Sequence, residues 1–144
     1  MGTRQGTLLE DNISKIFELA GFKVSHQKKI NSYEIDVFAE YSGYSVAVEC
    51  KQYEKSEINV RNLIHQWDSK NKEIKVSKIL LAFYGVDIQK SDLLLAEKYN
   101  IKIWDEEDIS NYLNLLIDNR EKGKKLLLKN IEFLKKGFFE RIFK

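Results

Sequence analysis

Apolar positions recur at helical spacing near the start of the chain. Leu8, Leu9, Ile13, Ile16, Phe17 and Leu19 form one stripe and Gly21 follows as a natural terminator, so a helix is expected over residues 7–20. The rhythm then shortens. Residues 22–27 read as a strand, residues 28–32 as a polar bend, and residues 33–40 and 44–51 as two strands around Ser42-Gly43. Helical spacing returns over residues 57–72, with Ile58, Leu63, Ile64 and Trp67 as the expected buried positions. The apolar run Lys78–Tyr84 ends at Gly85 and reads as a central strand. A helix over residues 91–99 leads to a short strand, Ile101–Trp104. Asp105 or Asp108 is placed to cap the helix carrying Ile109, Tyr112, Leu113, Leu116 and Ile117. Residues 126–143 form a last amphipathic stretch, interrupted by Gly137.

The element order predicts an α/β fold. A hairpin is antiparallel, whereas the two strands joined through residues 91–99 form a βαβ unit with a parallel pair. A mixed central sheet flanked by helices follows. Apolar periodicity lapses over residues 119–125, so the expected organisation is a core of residues 1–119 and a basic amphipathic helical extension, residues 120–144, packed on the core or dimerising.

The hairpin carries the candidate chemistry. Glycine supplies the positive φ that tight hairpin turns need. In an antiparallel hairpin turning at Ser42-Gly43, Asp36 falls opposite Glu49, with Cβ atoms roughly 5 Å apart. Like charges so placed repel, and a bound cation would resolve the conflict. Lys51 lies two residues beyond Glu49 and projects from the same face, while Cys50 points the other way. Phosphodiester hydrolysis needs hard oxygen ligands for Mg²⁺, an attacking water and positive charge near the reacting phosphorus. Asp36 and Glu49 are the expected metal ligands, with the backbone carbonyl of Cys50 as a third oxygen. Lys51 would hold or help deprotonate the water and stabilise the pentavalent state. Glu10, on the first helix, is a further candidate that could reach the metal through water. The plainer alternative is that Lys51 bridges Glu49 and Glu34, which leaves Asp36 unexplained.

Composition narrows the class. The net charge of +2 conceals nine Lys/Arg against three Asp/Glu over residues 120–144, a local +6 that leaves −4 for the rest. An acidic body with a basic end suits a polyanion held near a carboxylate site. One cysteine excludes an internal disulfide framework and a cysteine-based zinc site. His26 and His65 are too isolated to make a zinc site, and a surface strand position and a partly buried structural position are expected for them. The polar N-terminus does not read as a signal peptide, and no apolar run spans a bilayer. A cytoplasmic protein without a membrane span is expected.

A glutamate in the first helix, an aspartate in the first hairpin strand and Glu-x-Lys in the second resemble the PD-(D/E)xK nuclease superfamily. Within it the chain is most similar to Mrr-like restriction endonucleases. The matching pieces are TLLEDNISKIFELAGFKV, YEIDVFAEYSGYSVAVECK and AEKYNIKIWDEEDI, within roughly residues 4–118. The chain departs from the pattern at Ile35, where proline is common, and at Asn31-Ser32-Tyr33-Glu34, where Mrr-like proteins are glycine-rich. The resemblance implies a restriction-endonuclease-like core and an active-site set of Glu10, Asp36, Glu49 and Lys51, with Gln66 as an accessory. It also implies a Mg²⁺-dependent deoxyribonuclease, with Mn²⁺ as a substitute, acting on DNA as a homodimer. Lys28, Lys29, Gln52, Lys55 and Arg61 flank the hairpin as expected contacts to the DNA backbone. The alternatives are a Holliday-junction resolvase of the same fold, a non-catalytic DNA-binding or regulatory protein, and a partner-binding module.

Overall fold

The computed structural model describes residues 2–52 and 58–133. Its elements are α1 (Gly2–Leu19), β1 (Lys23–Ile30), β2 (Tyr33–Tyr41), β3 (Tyr44–Gln52), α2 (Val60–Ile74), β4 (Lys78–Tyr84), α3 (Lys90–Lys98), β5 (Ile101–Trp104), α4 (Glu106–Asp118) and α5 (Arg120–Asn130). The five strands lie in chain order in one sheet. β1, β2 and β3 are antiparallel neighbours, and β3, β4 and β5 are parallel. The mixed sheet flanked by helices is the α/β architecture expected from the sequence.

Each face of the sheet has its own core. On one face Val46, Val48, Leu80 and Ala82 meet Ile13 and Phe17 of α1, Ile109 and Leu116 of α4 and Leu127 of α5. On the other, Ala47, Ile79, Leu81 and Phe83 meet Ile64 and Trp67 of α2 and Ala96 of α3. β4 alternates cleanly between the two and is buried on both, as a central parallel strand should be. Trp104 stacks on Phe17 with ring centroids 5.9 Å apart, joining the last strand to the first helix.

Local signals set several boundaries. Asn59 caps α2, its side chain accepting from the N–H of Asn62, so this helix runs over Val60–Ile74 rather than residues 57–72. Asp105 caps α4 and shares a reciprocal capping box with Asp108.

Two expectations are corrected. Residues 28–30 are not a bend but continue β1, and the chain turns at Asn31-Ser32, both with positive φ (51° and 70°). Lys28 and Lys29 look like loop residues because β1 is an edge strand with much of its side-chain surface in solvent. The last helix begins at Arg120 rather than near residue 126, capped by Asn119. Apolar periodicity fails there because α4 and α5 meet through Gly123. A Cβ on Gly123 would lie 2.8 Å from the Leu116 side chain, so the contact is made by a residue with no side chain to register. Of the apolar positions in the final stretch, Leu127 and Ile131 are fully buried, Leu126 is exposed, and residues 134–143 lie outside the described residues.

Candidate active site

Ser42 and Gly43 both take positive φ (51° and 82°), the signature of a two-residue type I′ hairpin turn. From Tyr41↔Tyr44 the β2–β3 register runs regularly to Val37↔Val48. There the ladder stops. Instead of continuing backbone to backbone, Asp36 accepts the N–H of Cys50 on its carboxylate Oδ2 at 2.8 Å. A side chain thus stands where a strand carbonyl would have been.

The other side of Asp36 is irregular at the same level. The β1–β2 register passes from His26↔Val37 to Lys28↔Ile35, leaving Gln27 and Asp36 outside it, and Gln27 has φ +51°. Side-chain alternation slips at this point in both strands. Ile35 packs with the second core and Val37 with the first, although two residues on a regular strand share a face. Val24 and Ile30 of β1 divide between the two cores in the same way. Asp36 therefore sits where the sheet is opened on both flanks.

The acids form one connected set. Gln27 Nε2 donates to Glu10 Oε1 at 3.0 Å, holding a side chain from α1 beside the irregularity. Burial raises the Glu10 carboxyl above its usual range and the negative charge of Asp36 adds to this, while the bond from Gln27 opposes it. Glu49 is more strongly perturbed. Its side chain is only 14% exposed, and burial first, then a hydrogen bond to Asp36 and the Asp36 charge, push it up to about 8. Lys51 Nζ, 3.5 Å from Glu49 Oε2, pulls in the opposite direction, as does Lys70. Glu34 is instead paired in register with Lys29 and exposed. Cys50 packs on the first core, and burial, followed by the charges of Asp36, Glu10 and Glu49, raises its thiol well above the usual range.

Chemically, the site offers two carboxylates in mutual contact, a third acid, Glu10, on α1 and the Lys51 ammonium beside Glu49. Among the described residues no three His, Cys, Asp or Glu side chains gather into a ready cage for an ion. Two carboxylates supplemented by waters and a carbonyl is nonetheless a donor set that Mg²⁺ accepts. A cavity of about 890 Å³ lies elsewhere, along β5, lined by Lys78, Trp104, Tyr112 and Asn130 among others. None of the four residues Glu10, Asp36, Glu49 and Lys51 borders it.

The remaining expected residues are dispersed. Gln66 and Arg61 are exposed on α2. Lys28 lies over the Phe38 ring, 4.8 Å from its centroid. Lys29 is exposed, and Gln52 is half-buried at the end of β3, with no partner for its Oε1 among the described residues. Lys55 lies outside the described residues. His26 is exposed on β1 and bonded to Ser14, 3.1 Å away. His65 is exposed rather than partly buried, its ring edge-on to Tyr99. Sequence reasoning overlooked Gln27 and Lys70. A left-handed glutamine within a strand has no local signature, whereas the helical spacing of Lys70 after Gln66 and Trp67 was there to be read.

None of the curated proteins matches the chain. Among solved structures, similarity extends to the protein of unknown function AF1548 (15% identity, TM-score 0.57), covering 68% of this chain and 58% of the other. It extends also to Can2 from Sulfobacillus thermosulfidooxidans in complex with cyclic tetra-adenylate (17%, 0.60, covering 78% and 34%). A third is protein VC1899 from Vibrio cholerae (14%, 0.57, covering 83% and 33%). At these identities the likeness concerns the fold, and the matched region spans between a third and three-fifths of each of those longer chains. The restriction endonuclease family model, Mrr_cat, matches residues 4–113, from α1 through most of α4 and including the whole opened hairpin, and the chain belongs to that family.

Proposed function

We propose that the chain is a Mg²⁺-dependent DNA endonuclease whose active site is Glu10, Asp36, Glu49 and Lys51. The observation that carries this reading is the contact between Asp36 and Glu49 at the opened end of the hairpin, with Lys51 3.5 Å from Glu49. Two acids held in contact, with burial, the hydrogen bond to Asp36 and the Asp36 charge raising the Glu49 carboxyl, suit a divalent cation that would take the place of the proton between them. Asp36, Glu49 and the carbonyl of Cys50 would hold it, with Glu10 reaching it through water. When bound, Mg²⁺ supplies Lewis-acid polarisation of the phosphoryl group and acidifies its own water, and Mn²⁺ serves in its place.

The chain's own groups do the rest. Asp36 keeps its orientation through the bond from the Cys50 N–H, which fixes one oxygen and leaves the other for the site. Lys51 orients the attacking water and offsets the negative charge that gathers on the pentavalent phosphorus. Gln66 is an accessory, and Lys28, Lys29, Gln52, Lys55 and Arg61 contact the DNA backbone, which positions a duplex without reading its sequence. The proposed working unit is a cytoplasmic homodimer, with residues 120–144 as an extension of the 1–119 core. Among the described residues no helix is long and apolar enough to cross a membrane.

The test is cleavage of supercoiled plasmid, linear duplex, single strands and a four-way junction, with Mg²⁺ or Mn²⁺, by wild type, Lys51→Ala and Asp36→Asn. Wild type should cut duplex and both variants should not, while all three melt at similar temperatures. Preference for the junction would make the chain a resolvase. Metal-independent cutting, or full activity in either variant, would overturn the proposed site.

A further inference from the structure

Lys70 lies on α2, one turn beyond Gln66, and belongs to no ion pair within 4.0 Å among the described residues. Its ammonium sits against two aromatic faces, 4.5 Å from the Trp67 centroid and 5.6 Å from that of Tyr33. Tyr33 opens β2, three residues before Asp36, and Trp67 is almost fully buried. Lys70 is also close enough to Glu49 for its charge to act on that carboxyl.

The mounting of Lys70 is firm. The Tyr33 hydroxyl donates to the Glu73 carboxylate, and Asn31 Nδ2 donates to the Glu73 carbonyl at 2.9 Å. These two bonds tie the β1–β2 turn and Tyr33 to Glu73 in the last turn of α2, three residues beyond Lys70. With its ammonium over the rings and its side chain partly exposed, Lys70 is open to solvent on the Glu49 side of the sheet. Ring faces attract an ammonium far less strongly than a phosphate does, so the position is one a polyanion can claim.

We propose that Lys70 is a second phosphate-binding residue of this site, receiving a DNA backbone phosphate adjacent to the scissile one from the side opposite α1. The inference rests on the nuclease reading above and adds to it a contact made from α2. Lys51 would then serve the reacting phosphate and Lys70 its neighbour.

The experiment is a fluorescence-anisotropy titration of a fluorescein-labelled duplex in EDTA across a range of NaCl concentrations. It compares wild type, Lys70→Met, Lys70→Gln, Lys70→Arg and, as a control for net charge, Lys72→Met on the same helix. Lys70→Met keeps an unbranched apolar stem over the rings, and Lys70→Gln gives the same reading should methionine disturb the packing. Removing Lys70 should weaken binding about 3- to 10-fold at moderate salt and reduce the salt slope by about one, on unrelated duplex sequences alike. Lys70→Arg should restore both, and Lys72→Met should leave the slope near that of wild type. Wild-type binding with unchanged affinity and slope in Lys70→Met and Lys70→Gln would overturn the role of Lys70 and leave the nuclease reading standing. Absence of salt-dependent duplex binding by wild type would overturn the Lys70 contact, and the nuclease reading would stand or fall on the cleavage test above.

Discussion

The two ends of the β2–β3 hairpin are built from the same strands and behave as different materials. At the turn end, Tyr41↔Tyr44 to Val37↔Val48 pair regularly, and Val46, Ala47 and Val48 are buried between helices. At the open end the backbone ladder gives way to a carboxylate, alternation slips, and the residues are charged and half-buried. The regular end is held by apolar area and bonded backbone. The open end keeps two acids together that would separate in water. Stability and chemistry are thus divided within nine residues of strand, so the two should be separable by substitution.

The largest expected effect is at the open end. Lys51→Ala and Asp36→Asn should lower the cleavage rate by about 10³-fold or more, the scale of losing a transition-state contact, with little change in melting temperature. Single-turnover cleavage paired with thermal denaturation measures both. At the regular end the pattern inverts. Val46→Ala should cost about 1–3 kcal/mol of stability by leaving a void in the first core, while the cleavage rate at a permissive temperature stays near wild type.

The Glu49 carboxyl yields a pH signature. Its folded pKa of about 8 lies above the usual 4.5, so between these values the folded state holds a proton that the unfolded chain releases. Without divalent cations, this group should make stability fall as pH rises from about 4.5 to about 8 and level off above. Glu49→Gln should flatten that slope and stabilise the protein at pH 8 by about 1–3 kcal/mol, read from denaturant melts at several pH values. Metal affinity should run the other way, rising with pH as the proton leaves. The smallest effect belongs to the turn. Gly43→Ala meets no atom within 4 Å, so only its φ of +82° is penalised. A loss of about 1 kcal/mol without change in cleavage is expected.

Much of this division could be read from the sequence. The β2–β3 turn follows from the glycine at position 43, and the strand and helix order follows from the change in apolar period. The proximity of Asp36 and Glu49 follows from counting outward from the turn. What could not be read is how the strands part. The register arithmetic describes a continuous ladder, whereas Asp36 replaces a backbone acceptor with its own side chain, and Gln27 adopts a conformation that nothing in its neighbours demands. The approach of α5 to α4 was hidden for the opposite reason, because Gly123 contributes by lacking a side chain. Lys70 belongs to a third kind, in which the helical face was legible but its partner Tyr33 is brought to it by the fold.

One consequence of the irregularity at Gln27 concerns solubility. β1 is an outer strand of the sheet, and its free side presents the backbone groups by which strands of other molecules could add. A left-handed residue near its middle interrupts the straight run that such addition requires, and Lys23, Lys28 and Lys29 charge the same strand. The distortion that seats Glu10 beside Asp36 also makes the edge a poor template. Restoring regular extended geometry at position 27 would both loosen Glu10 and expose the protein to strand-mediated aggregation.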